Sequence, residues 1–155
     1  EEHLSRTDEI ETEMFAKLDR PNVGVAALSG KLEMELVQMS PDDEVEFRES
    51  LGAGEPGLDR MVRLSYGLLG LISFLTTGDD ETRAWTIRRD TPAVDAAAKI
   101  HSDIQRGFIR AEVVSFDDLI SAGSIPEARK RALLRTEGKT YIMRDGDVVN
   151  FLFNV

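Results

Sequence analysis

Cysteine is absent from the 155 residues, which excludes a disulfide scaffold, a thiol nucleophile and every cysteine-ligated zinc or iron–sulfur site. Histidine is nearly absent too. His3 and His101 are the two present; without cysteine they cannot build a multi-ligand zinc site, and no HExxH spacing occurs. No apolar run approaches the roughly 18 residues of a membrane span, and the chain opens on Glu1 and Glu2 rather than the basic stretch of a signal peptide. A basic excess is also missing. With 19 Lys and Arg against 29 Asp and Glu the net charge is −10, which discourages nonspecific binding of nucleic acid by the chain as a whole. These absences lead us to expect a soluble protein of the reducing cytoplasm, with no membrane partner.

What is present is the composition of an ordinary globular chain, 41% hydrophobic and 31% charged. A chain of this length can bury about two-thirds of its unfolded surface, so neither disulfides nor a structural metal is needed for folding. The start, EEHLSRTDEIETEMF without an initiator Met, leads us to expect a piece of a longer protein or a processed product. Charge is unevenly spread. Residues 1–70 hold 7 basic and 16 acidic side chains, whereas residues 71–155 hold 12 and 13.

Residues 4–19 place Leu4, Ile10, Met14, Phe15 and Leu18 at helical spacing among acids, with Pro21 as a stop. VGVAAL at 23–28 reads as a short buried strand, and residues 31–39 as a helix. Ser40-Pro41 opens the next helix, Ser40 as cap and Pro41 at the first position, with Asp42, Asp43 and Glu44 near the positive end of its dipole. Gly52, Gly54, Pro56 and Gly57 form a linker before helical periodicity resumes at 58–69. From Leu71 the pattern changes. LISFL, a Gly78-Asp79-Asp80 turn and RAWTI predict a hairpin; Thr91 and Pro92 open a helix that runs on to Gly107; FIRAEVVSF is a third strand. Two short helical pieces, 117–122 and 124–134, precede YIM and VVNFLF, read as a closing hairpin. That order predicts an α+β, β-grasp (ubiquitin-like) mixed sheet around one helix, with Trp85, Ile100, Ile104, Val113, Ile142, Val149 and Phe151 in its core.

Chemistry-bearing patterns are few. Gly24 to Leu32 resembles a phosphate loop but fails it: Gly24 and Gly30 enclose five residues instead of four, and Leu32 stands where a magnesium-binding hydroxyl is needed. His101 lacks an orienting partner and a nucleophile on its own helix face, so we read it as satisfying a helix end. Trp85, with Arg83, Arg88 and Arg89 in the same strand region, could stack a base; a core Trp with a hydrogen-bonded indole is the simpler reading. The cluster Arg129, Lys130, Arg131 and Arg135, with Lys139 and Arg144, is the main candidate for RNA, and Arg88 and Arg89 join it.

The stretch from Leu71 to Ile120, with EGKTYIMRDGDVVNFLFNV, resembles the C-terminal TGS domain of the YchF-type Obg-like ATPases. The specific segments are Arg83-Ala84-Trp85-Thr86-Ile87, Ile100-His101-Ser102-Asp103, Gly107 to Val113, Glu137-Gly138-Lys139 and Phe153-Asn154-Val155. Ser29-Gly30-Lys31 is similar to the last base-contacting motif of that family's P-loop domain, usually Ser-Ala-Lys. The resemblance implies a cytoplasmic, ribosome-associated P-loop ATPase using ATP or GTP with magnesium. Residues 1–57 would be the remnant of its nucleotide domain, 58–70 a connecting helix and 71–155 the TGS domain. The Walker A loop, switch regions, magnesium ligands and base-specifying motif are missing, so no catalytic residue carries over and this chain alone is expected to hold no cofactor. Implied partners are the ribosome or ribosomal RNA and the parent's own ATPase domain. The near-neutral charge of residues 71–155 keeps a second reading open, a protein-interaction or intramolecular module without RNA binding.

Overall fold

In the computed structural model, which describes residues 6–18, 20–78 and 80–154, the chain divides into two units, Glu1–Leu69 and Gly70–Val155. Leu4, Asp19, Asp79, Val155 and the candidate His3 lie outside the described residues. The first unit holds α1 (Thr7–Lys17), α2 (Gly30–Leu36), α3 (Pro41–Leu51) and α4 (Gly57–Leu69). Ser40 caps α3 as its sequence foretells: the Asp43 N–H donates to Ser40 Oγ at 3.3 Å, Pro41 takes the first turn, and Gly52 ends the helix at φ 60°. Only Gly tolerates that left-handed conformation without cost.

An ion pair joins three of these helices. Arg48 is 6% exposed, and its guanidinium donates to Glu33 at 2.7 and 3.1 Å and to Glu44 at 2.8 Å. The Gly57 N–H at the start of α4 donates to Glu33 Oε2 at 3.1 Å. The Arg48 hydrogen bonds hold the Glu33 carboxyl below its usual range, against the opposing effect of burial.

Residues 23–28 are not the strand expected of them. They carry no ladder, because a strand exists only by pairing and the first unit holds no other among its described residues. Side chains substitute: Glu11 accepts from the Ala27 N–H at 2.8 Å, and Arg60 donates both to Glu11 and to the Ala27 carbonyl.

The second unit contains β1 (Leu71–Thr77), β2 (Thr82–Arg88), α5 (Ala93–Ile100), α6 (Ser102–Arg106), β3 (Phe108–Ser115), α7 (Phe116–Ala122), α8 (Ile125–Lys130), β4 (Arg135–Glu137) and β5 (Asp147–Phe153). The strands form one α+β mixed sheet in the order β2-β1-β5-β3-β4, with β5 parallel to β1 and antiparallel to β3, consistent with the expected β-grasp. Register places Ile72 beside Ile87, Phe74 beside Trp85 and Val113 beside Val149, and this face packs on Ala93, Ala96 and Ala97. Phe74 and Phe151 meet edge to face at 6.0 Å. Val114 and Val148 point the other way, where Ala122 and Ala128 of α7 and α8 cover them.

Several local expectations change. The single helix to Gly107 is two, because His101 takes an extended conformation (φ −161°, ψ 143°) and its Nδ1 accepts from the Asp103 N–H at 3.1 Å, capping α6. Thr91 does not cap α5; its hydroxyl donates to the Arg88 carbonyl at 2.6 Å, and Pro92 holds the cap position. The closing hairpin is absent. Tyr141 to Met143 meet residues 91–93 through one isolated bridge, Pro92 with Ile142, while β5 inserts between β1 and β3. The bridge turns Ile142 outward, 45% exposed, and sends Met143 inward at 2%. Val113, Val149 and Phe151 are buried as expected, Trp85, Ile100 and Ile104 pack half-buried against them, and Phe74 joins at the centre.

Both units offer a stability test. At Gly107 a Cβ would stand 2.2 Å from the Asn154 carbonyl oxygen, a backbone atom that cannot step aside. Gly107→Ala should destabilise the second unit by roughly 1–3 kcal/mol, read as a lower melting temperature by the fluorescence of the single Trp85. Because Glu33 is depressed in the folded state, its contribution is present above the unfolded carboxylate value and is lost as pH falls through the folded one. Acid titration of helical circular dichroism should therefore show a stability loss below about pH 4.5 that Glu33→Gln abolishes, at the cost of lower stability at neutral pH.

Candidate nucleic-acid interface

The basic side chains singled out in the sequence separate into two groups in space. In and after α8, each cation already has an acid. Arg129 donates to Glu112 at 2.9 and 3.0 Å, and Lys130 and Arg131 share Glu127 at 3.5 and 3.3 Å. Arg135 lies 3.6 Å from Glu137 and 3.7 Å from Asp147, with its guanidinium 5.5 Å above the Tyr141 ring. Exposed pairs of this kind are each worth at most about 1 kcal/mol, but the four cations meet four carboxylates and the local charge is balanced. The sequence run Arg129-Lys130-Arg131 conceals this, since Glu112 arrives from a strand 17 residues earlier.

Asp147, at the start of β5, organises the turn that precedes it. It is 2% exposed, and its Oδ2 accepts from the Tyr141 hydroxyl and the Arg144 N–H, both at 2.9 Å. A buried carboxylate needs such partners. Burial first, and then the Asp147 hydrogen bond, push the Tyr141 phenol above its ordinary value. The turn is fixed on its other side as well: Ser73 donates its N–H to Asp145 at 2.8 Å and accepts from the Gly146 N–H at 2.9 Å.

This framework gathers the second group. The Met143 N–H donates to the Thr91 carbonyl at 3.0 Å, the Ala93 N–H to Tyr141 at 2.7 Å and the Val94 N–H to Lys139 at 3.3 Å, so residues 139–143 run beside residues 91–94. Arg88 and Arg89 precede one side of this bridge, Arg144 follows the other, and Lys139 begins it. All four are exposed, and none has an ion-pair partner among the described residues. Trp85 is separate from them: its indole donates to Thr76 Oγ1 at 2.9 Å, and Arg83 lies over its ring at 5.2 Å.

Residues 71–154 match the family YchF-GTPase_C, described as "Protein of unknown function (DUF933)". The chain belongs to this YchF family. It is 42% identical over 134 residues to the "Ribosome-binding ATPase YchF" of Bacillus subtilis (strain 168) and 44% identical over 131 residues to that of Escherichia coli O157:H7. These alignments take in 86% and 84% of this chain but 37% and 36% of the relatives, so the chain spans a little over a third of their length. The solved structure of the Schizosaccharomyces pombe YchF GTPase superposes with a TM-score of 0.74 at 27% identity, covering 97% of this chain and 38% of that one.

The nucleotide with magnesium that the YchF resemblance implies bears on Ser29, Gly30 and Lys31. Residues 23–29 lie in neither helix nor strand, and Lys31 is on the exposed side of α2, 3.8 Å from Glu35. Ser29 precedes α2 without a side-chain capping bond. Gly30 has open space where a Cβ would stand, so the Ala usual in the resembling motif would fit.

The Tyr141 environment is directly testable. Its folded value is raised, so the second unit keeps this contribution below the unfolded phenol value and loses it as pH rises through the folded one. In an ultraviolet phenolate titration Tyr141, assigned by Tyr141→Phe, should ionise above about pH 10. Asp147→Asn should lower that midpoint without returning it to the ordinary value, because burial remains.

Proposed function

We propose that this chain is a non-catalytic C-terminal region of a ribosome-associated YchF-type ATPase, in which the second unit is a TGS module that contacts RNA or the ribosome and docks on the ATPase core, and the first is the remnant of the nucleotide domain. One observation carries the reading, the contrast in how the units bury their apolar residues. Sixteen of eighteen buried hydrophobics among the described residues lie in the second unit, and Leu32 and Leu36 are the two in the first. Fifteen of the twenty exposed large hydrophobics belong to the first, among them Phe15, Met34, Phe47 and Leu68. Such a surface is that of a domain whose core is completed elsewhere.

In this reading residues 1–57 are the end of a P-loop domain, 58–70 the connecting helix and 71–155 the module. The unladdered segment 23–28 would join the sheet of the complete domain. It borders an apolar cleft of about 540 Å³ lined by Phe15, Val23, Val25, Leu64 and Leu68. Ser29, Gly30 and Lys31 would then face the nucleotide base, with ATP or GTP and magnesium held by residues outside this chain, in the cytoplasm where ribosomes are. The names of the relatives, ribosome-binding ATPases, support the ribosome as partner.

Two measurements on the purified chain test this. Incubated with ATP or GTP and magnesium it should show no steady hydrolysis; activity copurifying at constant specific activity and unaffected by Lys31→Ala would refute the non-catalytic assignment. In sedimentation it should pellet with ribosomes at low salt, and in trans it should bind the remaining domains of a YchF ATPase. Binding to those domains without ribosome or RNA association would favour the protein-interaction module instead.

A further inference from the structure

We propose that Arg88, Arg89, Lys139 and Arg144, set around the exposed Ile142, form the surface by which the second unit takes the phosphate backbone of single-stranded RNA, and that the cations of α8 do not. The inference rests on the RNA-contact reading of the second unit and makes it specific to one side of that unit. Four features select this rim. Its cations come from the end of β2 and from both ends of segment 139–144, brought together by the hydrogen bonds of 139–143 to 91–94. None is engaged by a carboxylate among the described residues, whereas Arg129, Lys130, Arg131 and Arg135 each have one within 4 Å. Of the acids nearest the rim in sequence, Asp145 accepts from the Ser73 N–H and Glu137 and Asp147 face Arg135, which leaves Asp90 against four cations. The Arg144 backbone is held in place by buried Asp147.

The affinity of a cation for a phosphate comes largely from counterion release. A cation already neutralised by a carboxylate releases little, because one ion pair is exchanged for another. The free rim gains the full effect. An acidic peptide is a poorer fit: an extended peptide binds through backbone hydrogen bonds, and the backbone of 139–143 has spent donors and acceptors on residues 91–94. Long unrestrained cations around one aliphatic side chain suit an evenly charged polymer whose sugars and bases offer apolar edges.

The test uses the full chain and a labelled oligouridine, titrated across a salt series. The triple variant R88Q/R89Q/R144Q and the control R129Q/K130Q/R131Q remove equal charge, so any difference between them is local. Trp85 fluorescence checks that both fold. The rim variant should lower the slope of log affinity against log salt by about 2, at roughly 0.7 per phosphate, and reduce low-salt affinity at least tenfold; the control should change the slope by less than about 0.7. Equal losses in both variants, or a larger loss in the control, leave RNA binding standing and overturn the rim. No oligouridine binding by the wild type overturns the RNA-contact reading and the rim with it. Polyglutamate bound as tightly as oligouridine overturns the choice of nucleic acid.

Discussion

The placement of β5 between β1 and β3 is the constraint on which the second unit depends. It is the last strand in sequence, yet it is central in space, parallel to one neighbour and antiparallel to the other. A parallel pair cannot be closed by a tight turn, so the chain between β1 and β5 must leave the sheet and return. That detour supplies the covering layers: α5 and α6 on one face, α7 and α8 on the other. The strand serves both faces at once, since Val149 and Phe151 fill the larger core while Val148 fills the smaller. Its two ends are secured by different means. Asp147 anchors the first residue through buried hydrogen bonds, and the Asn154 N–H donates to the Gly107 carbonyl at 2.9 Å just beyond the last.

The anchoring at Asp147 also decides where charge is available. Arg135 and Tyr141 are drawn onto that carboxylate and so belong to the framework, while Arg144, whose N–H is used, keeps its side chain free. Net charge alone would rank the basic tripeptide of α8 first as a polyanion contact, since it is the densest run. Three-dimensional pairing reverses the order, because Glu112 and Glu127 sit beside it. A residue's sign is fixed by its chemistry, but its availability is fixed by what the fold places within 4 Å.

Much of the fold is legible in the sequence where local chemistry decides it. The hairpin of β1 and β2, the Ser40-Pro41 helix start and strand β3 need only alternation, capping and turn residues, and they form where those signals lie. The β-grasp sheet itself is legible from the order of elements together with the family resemblance. The features hidden from sequence depend on distant partners. YIM has the composition of a strand, but β5 finds better neighbours in β1 and β3, leaving Ile142 with a single bridge to Pro92. VGVAAL is apolar and β-prone, yet nothing in its own unit offers it a ladder among the described residues. The break at His101 depends on an imidazole accepting a backbone N–H two residues on, a cap outside the usual Ser, Thr, Asp and Asn set. The division of the cations into paired and unpaired groups is of the same kind, since Arg129 meets an acid from another strand.

The central position of the final strand bears on how the unit comes into being. A ribosome delivers β1, β2, α5, α6, β3 and β4 before it delivers the strand that joins two of them into one sheet. Until residues 147–153 emerge, the β1–β2 hairpin and the β3–β4 pair are separate fragments, each exposing the edge that β5 will later cover. Cotranslational folding of this unit is therefore limited to local pieces, and its cooperative closure waits for β5.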